Sequence, residues 1–187
     1  MVMPETARRW TAAEVRALPE DGKRYEVVDG ELLVTPSPAA LHQLALGDLY
    51  LWLVPYVRKH GLGEVFFSPA DVELDRHTMV QPDIFVAPVR KGARITWRNL
   101  ERLRLAVEVV SPSSVRADRM VKRRRYQREG IAEYWVVDLV ARVVERWRPG
   151  DARAEVLDAR LKWQLDASLP ALTLDLAAFF RAVHREP

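Results

Sequence analysis

A chain of 187 residues with a formal net charge of +3 is long enough to bury a substantial core without disulfides or structural metals. The absence of cysteine excludes thiolate nucleophiles, cysteine-ligated zinc and a disulfide framework, and it suits the cytoplasm, which is the expected compartment. No apolar run approaches the roughly 20 residues that a membrane span needs. We therefore expect a single domain over residues 1–187, with its core at about 25–148, that does not enter a membrane.

The sequence predicts a short helix followed by a β-hairpin. A capping-box pattern, in which a glutamate follows a threonine by three positions, predicts a helix over Ala12–Leu18. The β-rich runs Tyr25–Val28 and Glu31–Thr35 are separated by Asp29-Gly30, a pair that readily adopts the positive φ angles of a type I′ turn. These two runs are therefore predicted to form a hairpin.

The rest of the chain alternates helical and strand-like patterns. Apolar residues at three- and four-residue spacing predict an amphipathic helix over Leu41–Val57, which Pro55 is expected to kink or to end and which Gly61 stops. The later elements are predicted as strands at Glu64–Leu74, Val80–Ala87 and Leu103–Val110, a helix at Val115–Glu129, strands at Glu133–Asp138, Arg142–Arg148, Ala154–Leu157 and Leu161–Leu165, and a helix at Asp175–Val183. A basic loop near Lys91–Arg98 joins the second of these strands to the third.

The order of these elements indicates the fold class. From the long amphipathic helix to the strand that ends at Asp138, the chain reads helix, three strands, helix, strand. That order predicts an α/β (α+β) domain with a mixed central sheet flanked by helices. The N-terminal hairpin precedes this core, and the C-terminal strands and helix follow it.

Glu108 stands in the run Leu105–Val110, which is apolar on both faces and therefore predicts a central, buried strand. Burying an unpaired ionised carboxylate costs several kcal/mol even after relaxation. Glu108 is thus expected to be protonated, paired with a cation or bound to a metal. An internal salt bridge to an arginine is the simplest of these possibilities.

Asp83 poses the same problem in the neighbouring run Val80–Val86, where it and Gln81 are the only polar residues. If the two strands pair, both carboxylates can converge on one divalent cation, which prefers oxygen ligands. Pro82 removes a ladder donor, so this strand is predicted to lie at a sheet edge or to carry a bulge.

The segment Arg116–Arg128 carries seven basic residues against one acid, a local net charge of +6 that leaves −3 for the rest of the chain. Such a concentration is typical of surfaces that bind phosphates, but a solvated helix face in an arginine-rich chain explains it equally well. Asp118, Lys122 and Tyr126 lie at four-residue spacing and therefore share one face of the predicted helix. Lys122 is one of five lysines against 24 arginines, which hints that a compact ammonium is required there.

Taken together, these motifs resemble the Uma-two family of bacterial endonucleases. The resemblance lies in Gln81-Pro-Asp83, in Glu108-Val-Val-Ser-Pro-Ser113, in Asp118 with Lys122 and Tyr126, in Gly130-Ile-Ala-Glu-Tyr-Trp-Val-Val-Asp138, in the leading Tyr25-Glu-Val-Val-Asp-Gly-Glu-Leu32 and in His42. It covers roughly Tyr25–Trp147. The family belongs to the PD-(D/E)XK nuclease superfamily, whose restriction-endonuclease-like αβββαβ core is similar to the element order predicted above.

The resemblance implies a divalent-metal-dependent DNA endonuclease that hydrolyses phosphodiester bonds. Asp83 and Glu108 match the two motif acids, and with the Val109 carbonyl they are implied to hold Mg²⁺ or Mn²⁺. Val110 stands where the motif carries its lysine. Lys122 on the next helix is implied to take over as the catalytic cation.

Four further residues are candidates for the site: Glu26, His42, Asp118 and Tyr126. Glu26 and His42 either order a metal-bound water or serve only as local hydrogen-bonding residues. The candidate DNA-binding residues are Arg119, Arg123, Arg124 and Arg125.

A homodimer is expected, because cutting both strands of duplex DNA favours two sites. Two alternatives stay open: a catalytically inactive nucleic-acid-binding module on the same fold, and a sheet-mediated assembly protein.

Overall fold

The structure, a computed structural model, describes residues 8–89, 92, 94–97, 100 and 102–186. Its helices are α1 (Ala12–Arg16), α2 (Ala40–Lys59), α3 (Arg123–Arg128) and α4 (Leu176–His184), and a π-helical segment at Ala117–Lys122 runs directly into α3. Its strands are β1 (Arg24–Val28), β2 (Glu31–Thr35), β3 (Glu64–Phe67), β4 (Val72–Asp75), β5 (Thr78–Val80), β6 (Ile84–Ala87), β7 (Leu105–Val110), β8 (Glu133–Asp138), β9 (Val143–Trp147), β10 (Glu155–Leu157), β11 (Arg160–Trp163) and β12 (Leu172–Asp175). Within these residues, no helix combines the length and the apolarity needed to cross a membrane.

The central sheet joins six of the described strands in the order β10-β9-β8-β7-β6-β3. β7 and β8 run parallel, and the other neighbours are antiparallel. The elements α2, β3, β6, β7, the π-helical segment with α3, and β8 reproduce the predicted order of helix, three strands, helix and strand. The predicted α/β (α+β) class with a mixed central sheet is therefore confirmed.

The predicted hairpin also forms, because β1 and β2 pair antiparallel along their full lengths. Asp29 and Gly30 have φ angles of 53° and 88°, as a type I′ turn requires. The hairpin belongs to a second sheet of order β2-β1-β5-β4, in which Val27 of β1 pairs with Met79 of β5. This pairing places β1 close to the chain segment that enters β6.

The predicted strand Glu64–Leu74 is wrong in extent, because the chain leaves the central sheet partway along it. β3 ends at Phe67, and β4 in the second sheet begins at Val72. Pro69 lies between them and has no N–H to donate to a ladder. One run of strand-forming residues therefore serves two sheets.

The predicted strand Val80–Ala87 is wrong in the same way. Val80 ends β5 in the second sheet, and Ile84 begins β6 in the central sheet. Pro82 separates the two strands, because it has no N–H and restricts the preceding residue. β6 lies between β7 and β3 without a register shift, so the predicted edge position or bulge is wrong. Asp83 therefore lies at the bend between the two sheets, immediately before β6, and not within a strand.

The predicted helix Val115–Glu129 forms, but its first part is π-helical over Ala117–Lys122. A π-helix pairs each N–H with the carbonyl five residues back, and such single-turn insertions within α-helices are frequent at functional sites. The spacing of residues in the sequence does not distinguish the two helix types.

The C-terminal part of the chain adds one strand to the prediction. β12, which pairs with β11, is not predicted from the sequence, whereas the other C-terminal strands and α4 form close to their predicted positions. The predicted basic loop near Lys91–Arg98 has both of its end residues outside the described residues.

The core lies on both faces of the central sheet. On one face, the apolar sides of α2 and α4 pack against strand residues such as Val107. On the other face, Ala106 of β7 and Tyr126 of α3 belong to a second apolar cluster. Because side chains alternate along a strand, Glu108 lies on the same face as Ala106 and points towards the π-helical segment and α3.

Candidate active site

Lys122 lies at the centre of the candidate site, with only 2% of its side chain exposed. Its Nζ is 2.8 Å from Glu26 Oε2 on β1, 3.1 Å from Glu108 Oε1 on β7 and 3.4 Å from Asp118 Oδ1 in the π-helical segment. Tyr126 on α3 donates a hydrogen bond of 3.3 Å to Glu108 Oε1. One ammonium group is therefore surrounded by three carboxylates from three separate elements.

Asp83 is held by three donors next to this cluster. Its Oδ1 accepts a hydrogen bond of 2.8 Å from Arg24 Nη1 on β1. Its Oδ2 accepts hydrogen bonds from His42 Nε2 on α2 at 2.9 Å and from the Val109 N–H on β7 at 2.8 Å. These contacts join β1, α2 and β7 to the bend that carries Asp83.

The register of β6 and β7 brings Asp83 and Glu108 to one place. The last registered pair at this end is Ile84 with Val107, so the two acids are the next residues along the two chain segments. Alternation along β7 places Glu108 on the face that packs against the π-helical segment and α3, and Asp83 lies beside it at the bend before β6, where it contacts β1, α2 and β7.

The site carries more negative than positive charge. Within the described residues, the charged side chains that line the cleft are Glu26, Asp83, Glu108, Asp118, Arg24 and Lys122. With all of these ionised and His42 neutral, the net charge is −2. Uncompensated buried charge is costly, so two protons or one divalent cation are expected to balance it.

The excess charge affects the pKa values of the acids. Burial raises the pKa of Glu108 well above its ordinary value, and the neighbouring ammonium only partly offsets this. Burial also raises the pKa of Asp118 against the same ammonium. For Asp83, burial is outweighed by the hydrogen bond from His42 and the charge of Arg24, which lower the pKa to about 2. Glu108 and Asp118 are therefore the acids whose charge the protein alone compensates least.

These groups lie on the floor of a cleft of about 330 Å³. The cleft opens between the start of α2, the loop after β7 and the turn after β8. Its charged lining residues are buried or half-buried, and its exposed lining residues are uncharged within the described part of the chain. The cleft thus leads from solvent to a buried acidic floor.

The donor set suits a hard divalent cation. Mg²⁺ is usually held by one or two carboxylates, with waters completing its shell. The N–H and C=O of one strand residue point to the same side, so the Val109 carbonyl faces Asp83 as its N–H does. Among the described residues, no group of three or more His, Asp or Glu side chains is arranged as a ready-made metal site. Two carboxylates, one carbonyl and the excess negative charge fit such a cation, provided that Asp83 exchanges a protein donor for it.

The structure brings together the residues proposed for the site from the sequence. The residues that line the cleft or contact its lining are Asp83, Glu108, Lys122, Glu26, His42, Asp118, Tyr126 and Val109. Arg24 is a further site residue that the sequence did not reveal. Alternation along β1 places Arg24 on the same face as Glu26, and this spacing is the signal that could have identified it.

The four arginines predicted to bind DNA differ in their surroundings. Arg119 and Arg125 form ion pairs with neighbouring acids, and the Arg123 guanidinium lies 4.7 Å from the centroid of the Trp147 ring. Arg124 is exposed and forms no ion pair with any described residue. Phosphates at Arg119 or Arg125 would compete with internal carboxylates, whereas Arg124 presents its charge directly to solvent.

The mixed central sheet flanked by helices, with the element order helix, three strands, helix and strand, matches the core of a restriction-endonuclease-like fold. A crystal structure of "a putative nuclease belonging to DUF820" from Anabaena variabilis ATCC 29413 is similar to this chain, with a TM-score of 0.76. The two share 19% sequence identity, and the match covers 93% of this chain and 99% of that one, which shows a common fold.

The chain belongs to the Uma2 family, described as "Putative restriction endonuclease", whose model matches residues 12–177. The resemblance found in the sequence motifs is therefore confirmed. No curated protein matches the chain.

Proposed function

We propose that this protein is a divalent-metal-dependent endonuclease that hydrolyses phosphodiester bonds in DNA. The observation that carries the proposal is the net negative cluster on the floor of an open cleft, where Asp83 and Glu108 lie beside Lys122. Membership of the Uma2 family supports the same class of reaction.

In this proposal, Asp83, Glu108 and the Val109 carbonyl hold Mg²⁺ or Mn²⁺. The cation supplies Lewis-acid polarisation of the phosphate and activation of the attacking water. Lys122 contributes a positive charge beside Glu108 that stabilises negative charge developing on the phosphate oxygens. Because carboxylates already bind Lys122, its ammonium is fixed in place before the substrate arrives.

Other side chains of the site orient the two acids. Arg24 and His42 each bind one oxygen of Asp83, which fixes the rotation of that carboxylate. Tyr126 donates to Glu108 from α3. Such preorganised support is what a catalytic site needs in order to hold its groups in a productive geometry.

The experiment that tests this proposal is cleavage of supercoiled plasmid DNA by the purified protein with Mg²⁺ or Mn²⁺. The wild-type protein is expected to nick the plasmid, and EDTA is expected to stop the reaction. Glu108→Gln keeps the shape of the side chain and removes its charge, so it should abolish cleavage. Glu64→Gln is the matched control, because Glu64 forms an exposed ion pair with Arg58 outside the cleft. Wild-type cleavage by Glu108→Gln would rule out this site.

The second candidate function is a catalytically inactive nucleic-acid-binding module on the same fold. One observation favours it, namely that both oxygens of Asp83 are already bound by protein donors. This candidate predicts no cleavage, together with salt-sensitive DNA binding that persists in EDTA and weakens in Arg124→Gln. Cleavage that depends on Glu108 would decide against it.

A homodimer belongs to the proposal for duplex DNA, because cutting both strands favours two active sites. Size-exclusion chromatography with light scattering measures the mass of the protein in solution. A monomer at concentrations that cut both strands of a duplex would contradict this part of the proposal.

A further inference from the structure

We infer that the cleft takes unpaired nucleotides, so that single-stranded or locally unpaired nucleic acid is preferred to a fully paired duplex. The inference rests on the proposed function and adds the class of substrate. It is carried by the contrast between the charged floor of the cleft and its uncharged mouth. An unpaired strand needs only one active site, so this substrate class does not require a homodimer.

Charged side chains are absent from the mouth of the cleft within the described part of the chain. Among the described lining residues, the exposed ones are Pro36, Ser37, Pro38, Ala39, Pro112, Ser113 and Val140, which we call the uncharged rim. Proteins that bind a duplex hold its two phosphate backbones mainly with lysine, arginine and other hydrogen-bond donors, and the resulting affinity is largely electrostatic. The uncharged rim offers no positive charge for the two phosphate backbones of a duplex, whereas an unpaired strand has one backbone and can turn its bases to the rim.

Val140 of the uncharged rim is 90% exposed. Val140 lies in the turn after β8. The Asp138 carboxylate accepts hydrogen bonds from the N–H groups of Val140 and Ala141 and also pairs with Arg119, and these contacts hold the turn in place. The Val140 side chain is thus held in solvent, where it contributes nothing to the core. Ligand clefts are lined mainly by apolar side chains, and Val140 at the mouth of this cleft can contact an apolar part of a ligand.

The chemistry of the uncharged rim matches an unpaired base better than a duplex. In a duplex the base faces are covered by stacking, and a protein meets phosphates, sugars and groove edges. In an unpaired strand the base faces are accessible and pack against side chains. The proline rings and Val140 provide apolar surface for such contact, and the prolines are rigid and lose little entropy. The rim serines can hydrogen-bond to base edges.

The size of the cleft agrees with this assignment. Its volume of about 330 Å³ lies at the lower end of the range of small-ligand pockets, about 300–1,000 Å³. A space of that size admits part of one strand, with a phosphate directed to the acidic floor. A base of the same strand then lies against the uncharged rim.

The experiment compares the binding of a fluorescein-labelled oligothymidylate with that of a labelled blunt duplex of equal length. Fluorescence anisotropy is measured in Ca²⁺ for the wild type, Val140→Ser and Val156→Ser. Val156 is the matched control, because it is 60% exposed on β10 and does not line the cleft. Both substitutions are at exposed positions, so the fold is expected to be preserved.

The wild type is expected to bind the single strand more tightly than the duplex. Val140→Ser should lose on the order of tenfold in single-strand affinity, as expected for one aliphatic side chain buried on binding. Val156→Ser should bind as the wild type does. Equal or tighter binding of the duplex, or unchanged single-strand affinity in Val140→Ser, would overturn the inference. A changed oligomeric mass in Val140→Ser would also overturn it, because the uncharged rim would then be an interface with a second copy.

Cleavage assays with Mg²⁺ separate this inference from the proposed function. If the protein cuts the duplex in preference to the single strand and Glu108→Gln does not, the proposed function stands and only the substrate class is wrong. If neither substrate is cut but the single strand binds through Val140, the nuclease proposal fails and the assignment of the uncharged rim stands.

Discussion

Two basic side chains of the same helical stretch are each bound by three carboxylates, but in different surroundings. The inner cluster is Lys122 with Glu26, Glu108 and Asp118, and the outer cluster is Arg125 with Asp29, Asp75 and Glu129. The acids of the inner cluster are 1–3% exposed, whereas those of the outer cluster are 33–47% exposed. Arg128 also pairs with Asp29, so the outer cluster carries a smaller excess of negative charge, and water reaches its acids.

This difference reverses the effect on pKa. In the inner cluster, burial raises the pKa values of Glu108 and Asp118 despite the adjacent ammonium. In the outer cluster, hydrogen bonds outweigh partial burial and lower the pKa values of Asp29 and Asp75. Water can solvate the excess charge of the outer cluster but not that of the inner cluster. Buried excess charge, and not ion pairing as such, therefore marks the candidate active site.

Removing the cation should have the largest effect, and mainly in the inner cluster. Lys122→Met leaves three buried carboxylates without their partner, so the free energy of unfolding should fall by about 3–5 kcal/mol. Arg125→Met leaves its acids in contact with water and should cost about 1 kcal/mol. Urea denaturation measures both values. Equal losses would show that burial does not distinguish the clusters.

A divalent cation should stabilise the protein through Glu108 of the inner cluster and the adjacent Asp83, and not through the outer cluster. A ligand at 100 times its dissociation constant adds about 2.7 kcal/mol to stability. Mg²⁺ should therefore raise the Tm of the wild type and of Glu129→Gln, but not that of Glu108→Gln. Differential scanning fluorimetry at matched ionic strength measures the shift. A full shift in Glu108→Gln would place the cation elsewhere.

With EDTA present to remove metal, neutralising one acid should change the free energy of unfolding in opposite directions in the two clusters. Glu108→Gln removes a buried carboxylate whose charge is unfavourable, as the raised pKa of Glu108 indicates, and should therefore raise the protein's free energy of unfolding. Asp75→Asn removes a solvated partner of Arg125 and should destabilise it by less than about 1 kcal/mol. Urea midpoints report both changes. Destabilisation by Glu108→Gln would mean that its charge is needed to hold Lys122.

Acid should have the smallest of these effects, through the outer cluster. Folding lowers the pKa values of Asp29 and Asp75, so their pairing stabilises the protein above the ordinary aspartate pKa of about 3.9. This contribution is lost as the pH falls through the lowered values. Arg125→Met should therefore lose less stability than the wild type between neutral and strongly acidic pH. Parallel pH profiles of urea midpoints would contradict this prediction.

The element order and the two acids could be predicted because both are local signals. Asp83 and Glu108 interrupt apolar runs, and an isolated carboxylate in such a run is conspicuous in one dimension. The spacing of Asp118, Lys122 and Tyr126 also placed those residues together. These features need only the periodicity of strands and helices.

The remaining features depend on contacts between distant segments. Arg24 reaches the site only because the hairpin packs against the bend at Asp83, and the division of the strand around Pro82 depends on which sheet accepts each half. The uncharged rim combines three segments that are far apart in the chain. No pattern within one segment of the sequence predicts that these three segments lie next to one another.

The most direct test of the central claim, that Asp83 and Glu108 hold a divalent cation, is isothermal titration of the purified protein with Mn²⁺. The wild type and Glu129→Gln are expected to bind the cation at the same single site, and Glu108→Gln is expected not to bind it. Absence of binding by the wild type, or equal binding by Glu108→Gln, would contradict the claim.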